Sequence, residues 1–265
     1  MTVIKIEAVT DLLCPWCYIG KRNLDRAISQ YRAAVPSAEF EVVWKPFYLS
    51  PDLKNTGSYI PIVSLSLFLH YQSHPTPPSP LLPFQLNTAH KQLKSKTRSS
   101  PKKGYDKITI YRTRLAGTAD PVEALARVVS ASARAGIVLS LAGATGNSRQ
   151  SHKLLALALA RRGPGAQDRL LEALFRGHFE EGADLSDRRY LLAAATSAAV
   201  GLDPDEAEAV LDGDRFGEAV DEAVMEARRA GITGVPTFTV QGRWRVGGSQ
   251  EPDVFLRVFE RVEDE

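Results

Sequence analysis

Cys14 and Cys17 are the only two thiols in 265 residues, three positions apart in "DLLCPWCYIG" at residues 11 to 20. Two thiols at that spacing can trade a disulfide with another molecule, the first attacking and the second resolving the mixed disulfide. A purely structural bridge is a poor alternative, because a four-residue ring takes little loop entropy from the unfolded chain. A closed zinc site needs four ligands, and none of His70, His74, His90, His152 and His178 stands at ligand spacing from the pair. The expectation is therefore a redox dithiol with no metal and no tightly bound cofactor.

The flanks place the pair where a strand runs into a helix. Val3, Ile4, Ile6, Ala8 and Val9 form a nearly continuous apolar run of the kind found in a buried strand. Beyond it Cys17, Leu24, Ala27, Ile28 and Tyr31 recur at helical spacing, with Lys21, Arg22, Asp25, Arg26 and Arg32 on the other faces. Pro15 suits the first turn, where a missing N–H costs nothing. Unpaired N–H groups and the positive end of the helix dipole then favour a thiolate at Cys14, with Cys17 buried one turn on. Asp11 caps the helix or relays protons; Trp16 shapes an apolar rim, and Tyr18 belongs to the core.

A second signal lies far away, in "GITGVPTFTVQGRWRVGG" at 231 to 248. Val235 and Thr237 to Val240 are strand formers, Gln241-Gly242 is a turn, and Arg243 to Val246 return as a second strand. Pro236 opens the hairpin, a position that tolerates a missing ladder donor.

These stretches, with "VVWKPFYL" at 42 to 49 and "TGNSRQSHKLL" at 145 to 155, resemble the DsbA-family thioredoxin-fold oxidoreductases, in particular the FrnE-like branch. The resemblance implies an α/β, thioredoxin-like fold with a large all-helical insertion. It makes Cys14 the attacking thiol, Cys17 the resolving thiol and Pro236 a cis-proline preceded by Val235. It also implies that Pro15, Trp16 and Val235 meet substrate, and that Asn147 and His152 face the cleft, where His152 contacts substrate or tunes the thiolate. A helix-surface histidine without a role is the plain alternative. Substrates would be disulfide-bearing proteins or small thiol or polyketide-like molecules, with glutathione or a thioredoxin-type donor as redox partner and the chain a monomer or homodimer. Kappa-class glutathione transferases and 2-hydroxychromene-2-carboxylate isomerases resemble the same fold but carry serine where this chain has Cys14. A glutathione-dependent isomerase or transferase is thus a second reading, and a peptide-binding chaperone module a third.

The implied order is a thioredoxin-fold half at 1–50, a helical lid at 104–229 and a second half at 230–265. Within the lid, helical spacing predicts Pro121 to Ala135, Ser151 to Arg161, Ala166 to Phe179, Asp187 to Val200 and Pro204 to Leu211. Asp187 and Asp203 read as helix starts, and Gly136, Gly163 and Gly201 as stops. A last helix runs from about Pro252.

Residues 51–103 depart from this plan. From Asn55 through His90 there is no charged side chain other than histidine, in a chain that is 24% charged, and the run is studded with proline. The basic "KQLKSKTRSSPKK" follows. Composition leaves open an in-frame intron or similar gene-model error, a disordered loop, or an interaction arm. No bilayer span fits, since the apolar run at 60 to 69 is half the length needed, and the basic cluster lacks the aromatics of a nucleic-acid groove. With 44% hydrophobic residues and a net charge of +2, and no recognisable signal peptide, a cytoplasmic enzyme is expected, with neither nucleic acid nor membrane as partner.

Overall fold

A computed structural model of the chain describes residues 3–53, 105–116 and 118–263. The atypical segment at 55–103 lies outside these residues. Strand β1 (Val3–Thr10) leads into helix α1 (Pro15–Ala34), which returns to β2 (Glu39–Pro46). β1 and β2 are parallel, Val3 opposite Glu39 through Thr10 opposite Pro46. At the far end of the chain, β5 (Thr237–Val240) and β6 (Trp244–Gly247) form a hairpin, and β5 pairs antiparallel with β1. The four-stranded sheet has the order β2-β1-β5-β6.

The local chemistry explains these elements. Ile4, Ile6 and Ala8 are buried while Lys5 and Glu7 are exposed, so β1 alternates at first and is covered on both faces only from Val9 onward. The hairpin turns on Gln241 and Gly242, with φ of 50° and 68°, the left-handed pair that a two-residue hairpin loop requires. Helix α9 (Pro252–Glu263) places Phe255 and Phe259 in the core, where Phe238 and Tyr31 meet them edge to face.

Between the halves lie helices α2 (Lys107–Leu115), α3 (Pro121–Arg134), α4 (Arg149–Arg162), α5 (Pro164–Phe179), α6 (Arg188–Thr196), α7 (Pro204–Asp212) and α8 (Gly217–Arg229). The expected starts are present. Asp187 accepts from the Arg189 N–H and Asp203 from that of Glu206. Gly163, at φ 77°, closes α4 and opens α5. Two differences stand out. The insertion is helical except for β3 (Tyr105–Asp106) and β4 (Ala144–Thr145), a two-residue antiparallel pair. Helix α6 ends at Thr196 rather than Val200, because Ser197 turns to an extended ψ of 150°.

The insertion docks on the sheet through polar groups. β2 is an edge strand, and the Gln167 amide of α5 closes its open rim by accepting from the Trp44 N–H at 2.9 Å and donating to the Trp44 carbonyl at 2.9 Å. Lys21, which helical spacing sets off the apolar face, is nevertheless buried at 2% exposure. Asp25 at 2.9 Å, Asp168 at 3.1 Å and Glu172 at 3.4 Å surround its ammonium, the last two from α5. Burial opposes its charge, yet the carboxylates outweigh that and raise its pKa. Among the described residues no helix is long and apolar enough to cross a membrane.

Candidate active site

Cys14 is the N-cap of α1, extended at φ −104° and ψ 113°, and Pro15 occupies the first turn as its sequence position suggested. The Cys14 N–H donates to the Asp11 carbonyl at 3.0 Å, and the Cys14 carbonyl accepts the Cys17 N–H at 3.0 Å. Both thiols are free, Cys14 at 5% and Cys17 at 0% exposure. The Cys14 thiol accepts no capping bond from its own helix; it donates to the Val235 carbonyl at 3.6 Å.

That carbonyl belongs to the loop opening β5, where the Val235–Pro236 bond is cis. Val235 packs against both the main core and the smaller cluster of Val9, Phe47, Ala227 and Ile232. Gly20, on the next turn of α1, lets the loop approach: a Cβ there would lie 2.9 Å from Pro236 Cγ. A hollow of about 340 Å³ runs along Gly231–Thr237 toward Arg245, on the Val235 and Pro236 side of the thiols rather than over them. Trp16 is half-buried beside the pair; Tyr18 is core, stacked on Phe175 at 5.1 Å, with its hydroxyl donating to Glu180 at 2.7 Å.

Cys17 is enclosed in the core at 0% exposure. Burial pushes its thiol pKa well up, the adjacent Cys14 sulfur adds to the rise, and the Thr10 hydroxyl and Asp11 backbone N–H oppose it from the end of β1. Asp11 itself is fully buried. Its carboxylate accepts the N–H groups of Leu13 at 3.2 Å and Leu49 at 2.7 Å; neither lies in α1, so Asp11 ties the junction to the segment after β2 and does not cap the helix. Burial works to raise its pKa, but His152, the Leu49 N–H and Ser148 together hold it below the ordinary carboxylate value.

His152 is no surface histidine: it is 3% exposed, its Nε2 lies 3.8 Å from Asp11 Oδ1, and its ring meets that of Tyr48. That Nε2 has no hydrogen-bond partner. The Asn147 amide donates to the Pro51 and Leu53 carbonyls, each at 3.0 Å, and its Oδ1 accepts from the Arg149 N–H. These two residues thus hold the segment after β2 and the underside of Asp11. Sequence reasoning passed over Thr10, Tyr111 and Arg114. Tyr111 and Arg114 of α2 both donate to the Leu13 carbonyl, next to Cys14. No spacing rule links them to the cysteines about a hundred residues earlier.

The model of the DSBA-like thioredoxin domain matches residues 5–98 and 88–260. The chain belongs to this family. Solved structures of similar fold to this DSBA-like protein include a probable DsbA oxidoreductase from Streptomyces coelicolor, with a TM-score of 0.65 at 23% identity, covering 99% of this chain and 91% of that one. A 2-hydroxychromene-2-carboxylate isomerase follows, with 0.57 at 14% identity and coverage of 97% and 95%. The cytosolic disulfide reductase DsbM from Pseudomonas aeruginosa, solved with glutathione, gives 0.51 at 17% identity and coverage of 98% and 100%. No curated protein matches the sequence. The DSBA-like fold expected from the sequence, an α/β thioredoxin-like core with a helical insertion, is the fold observed.

Proposed function

We propose that the chain is a dithiol oxidoreductase whose reacting sulfur is Cys14. The supporting observation is that sulfur's place, at the N-terminus of α1 and 3.6 Å from the Val235 carbonyl, with Cys17 buried behind it. In the reducing direction the Cys14 thiolate attacks a substrate disulfide and releases one substrate thiol. Cys17 then attacks Cys14, releasing the second thiol and closing the Cys14–Cys17 disulfide. Two electrons pass from the pair to the substrate, and the two cysteine protons end on the two released thiols. Glutathione or a thioredoxin-type donor returns the pair to its reduced form.

Pro15, Trp16 and the backbone around Val235 and Pro236 form the docking face, pairing with an extended chain as an added strand. Asn147 and His152 act from beneath it, through the 51–53 segment and Asp11. A cytoplasmic role in reducing or isomerising disulfides would keep the pair mostly reduced, and the fold is shared with a cytosolic disulfide reductase solved with glutathione. The FrnE-like branch is the part of the family we assign. Insulin reduction tests the reading: Cys14→Ser abolishes turnover, and turnover that survives the change contradicts it. The likeness to the isomerase favours a second reading, a glutathione-dependent isomerase or transferase. Its signature would be turnover of an aromatic substrate with glutathione that persists in Cys17→Ser.

A further inference from the structure

Thr10 is the last residue of β1 and lies on the strand face shared by Ile4, Ile6 and Ala8, toward α1. It is wholly buried, and its hydroxyl oxygen has no hydrogen-bond partner. A hydroxyl left unpaired in the core is costly, and valine would fill the same space without that cost. Ala8 on that face stands opposite Phe238, whose ring lies against Gly20 of α1, so Thr10 two residues on faces the start of α1, where Cys17 is fully buried; the Thr10 hydroxyl and the Asp11 backbone N–H both favour the ionised form of that thiol. A neutral thiol offers a poor hydrogen-bond acceptor, but a thiolate is a good one.

We propose that the Thr10 hydroxyl is held in reserve for the Cys17 thiolate, forming with the Asp11 N–H a two-donor site that stabilises the negative sulfur in the resolving step. The inference rests on the dithiol reading above. In that step Cys17 gives up its proton and its sulfur attacks Cys14 of the mixed disulfide. The bond between Cys14 and the substrate breaks, the Cys14–Cys17 bond forms, and the departing substrate sulfur takes the electron pair and then a proton. In the reverse direction Cys17 is the leaving sulfur, and the same donors ease its departure. Both Thr10 and Cys17 are fully enclosed, at 0% exposure. Preorganised donors aimed at developing charge are most effective in such a site.

The reduced protein mixed with dithiobis(nitrobenzoate) reports the two steps separately. Attack by Cys14 releases one coloured thiolate, and resolution by Cys17 releases a second. Thr10→Val is expected to leave the first phase within about twofold and slow the second roughly tenfold or more, the weight of one hydrogen bond to a charged group. Thr10→Ser, which keeps the hydroxyl, restores the second phase to within a few fold. An unchanged second phase in Thr10→Val overturns the inference, as does equal slowing of both phases, which would mark a packing effect. A wild-type protein with no first phase would instead sink the dithiol reading itself.

Discussion

The Cys14 sulfur and the Val235 carbonyl lie 3.6 Å apart although 221 positions separate them in the chain. The contact requires β1 and β5 to pair, since Val9 stands opposite Thr237, one residue beyond Pro236. The sheet register therefore sets the distance between the thiol and the loop. Any change that moves the loop should show in thiol chemistry before it shows in secondary structure.

Gly20 is the place to make such a change. An added Cβ meets Pro236 Cγ at 2.9 Å and Phe238 Cζ at 3.2 Å, neither of which sits on a flexible chain end. Overpacking costs about 1–3 kcal/mol, and the better helix propensity of alanine returns about 1. Gly20→Ala is expected to lose about 1 kcal/mol in urea unfolding and to slow Cys14 alkylation or disulfide exchange. Unaltered stability together with unaltered exchange would contradict the close fit of α1 and the loop.

Asp11 should make stability depend on acid. Its folded carboxyl sits below the ordinary value of 3.8, so its contribution is complete above that value and fades as pH falls through the lower, folded one. Asp11→Asn removes the charge that holds the Leu13 and Leu49 N–H groups, at a cost of about 2–4 kcal/mol at neutral pH. The gap between variant and wild type, read from unfolding curves at stepped pH, should narrow below about pH 4. A gap that stays constant would show that the carboxylate charge is not what matters.

Much of this was legible in sequence, for identifiable reasons. Capping aspartates, Pro15 and the Gln241-Gly242 turn act locally, so Asp187, Asp203 and the hairpin appear where their residue types place them. The cysteine pair and Pro236 were legible as motifs. Helix α8 was not singled out, because it starts after Phe216 in a left-handed conformation with no side-chain cap. Buried Lys21 reads as a surface lysine until α5 supplies Asp168 and Glu172 from nearly 150 residues away. Nothing in the sequence marks Thr10; only the packing of β1 shows that its hydroxyl is enclosed without a hydrogen-bond partner.

Lys107 provides a second pH signal of the same sign, at the alkaline end of the range. It is buried and donates to the carbonyls of Ala142 and His178, with Asp184 and Asp106 as the carboxylates that favour its charge. Burial pushes its pKa down to about 8. The unfolded chain holds that proton until about pH 10.5, so between those values the unfolded state binds more protons and folding stability rises with pH. The stability of wild type relative to Lys107→Met should therefore rise by about 3 kcal/mol from pH 7 to pH 10.5. A difference that does not change with pH would place the ammonium in contact with water.

The most direct test of the central claim is to trap the mixed disulfide. Cys17→Ser removes the resolving sulfur, so incubation with oxidised glutathione should leave one stable glutathione adduct, mapped by peptide mass to Cys14. The reciprocal Cys14→Ser should stay unmodified, because the Cys17 sulfur is sealed from solvent. An adduct on Cys17, or a Cys14 that stays bare in Cys17→Ser, would contradict the account.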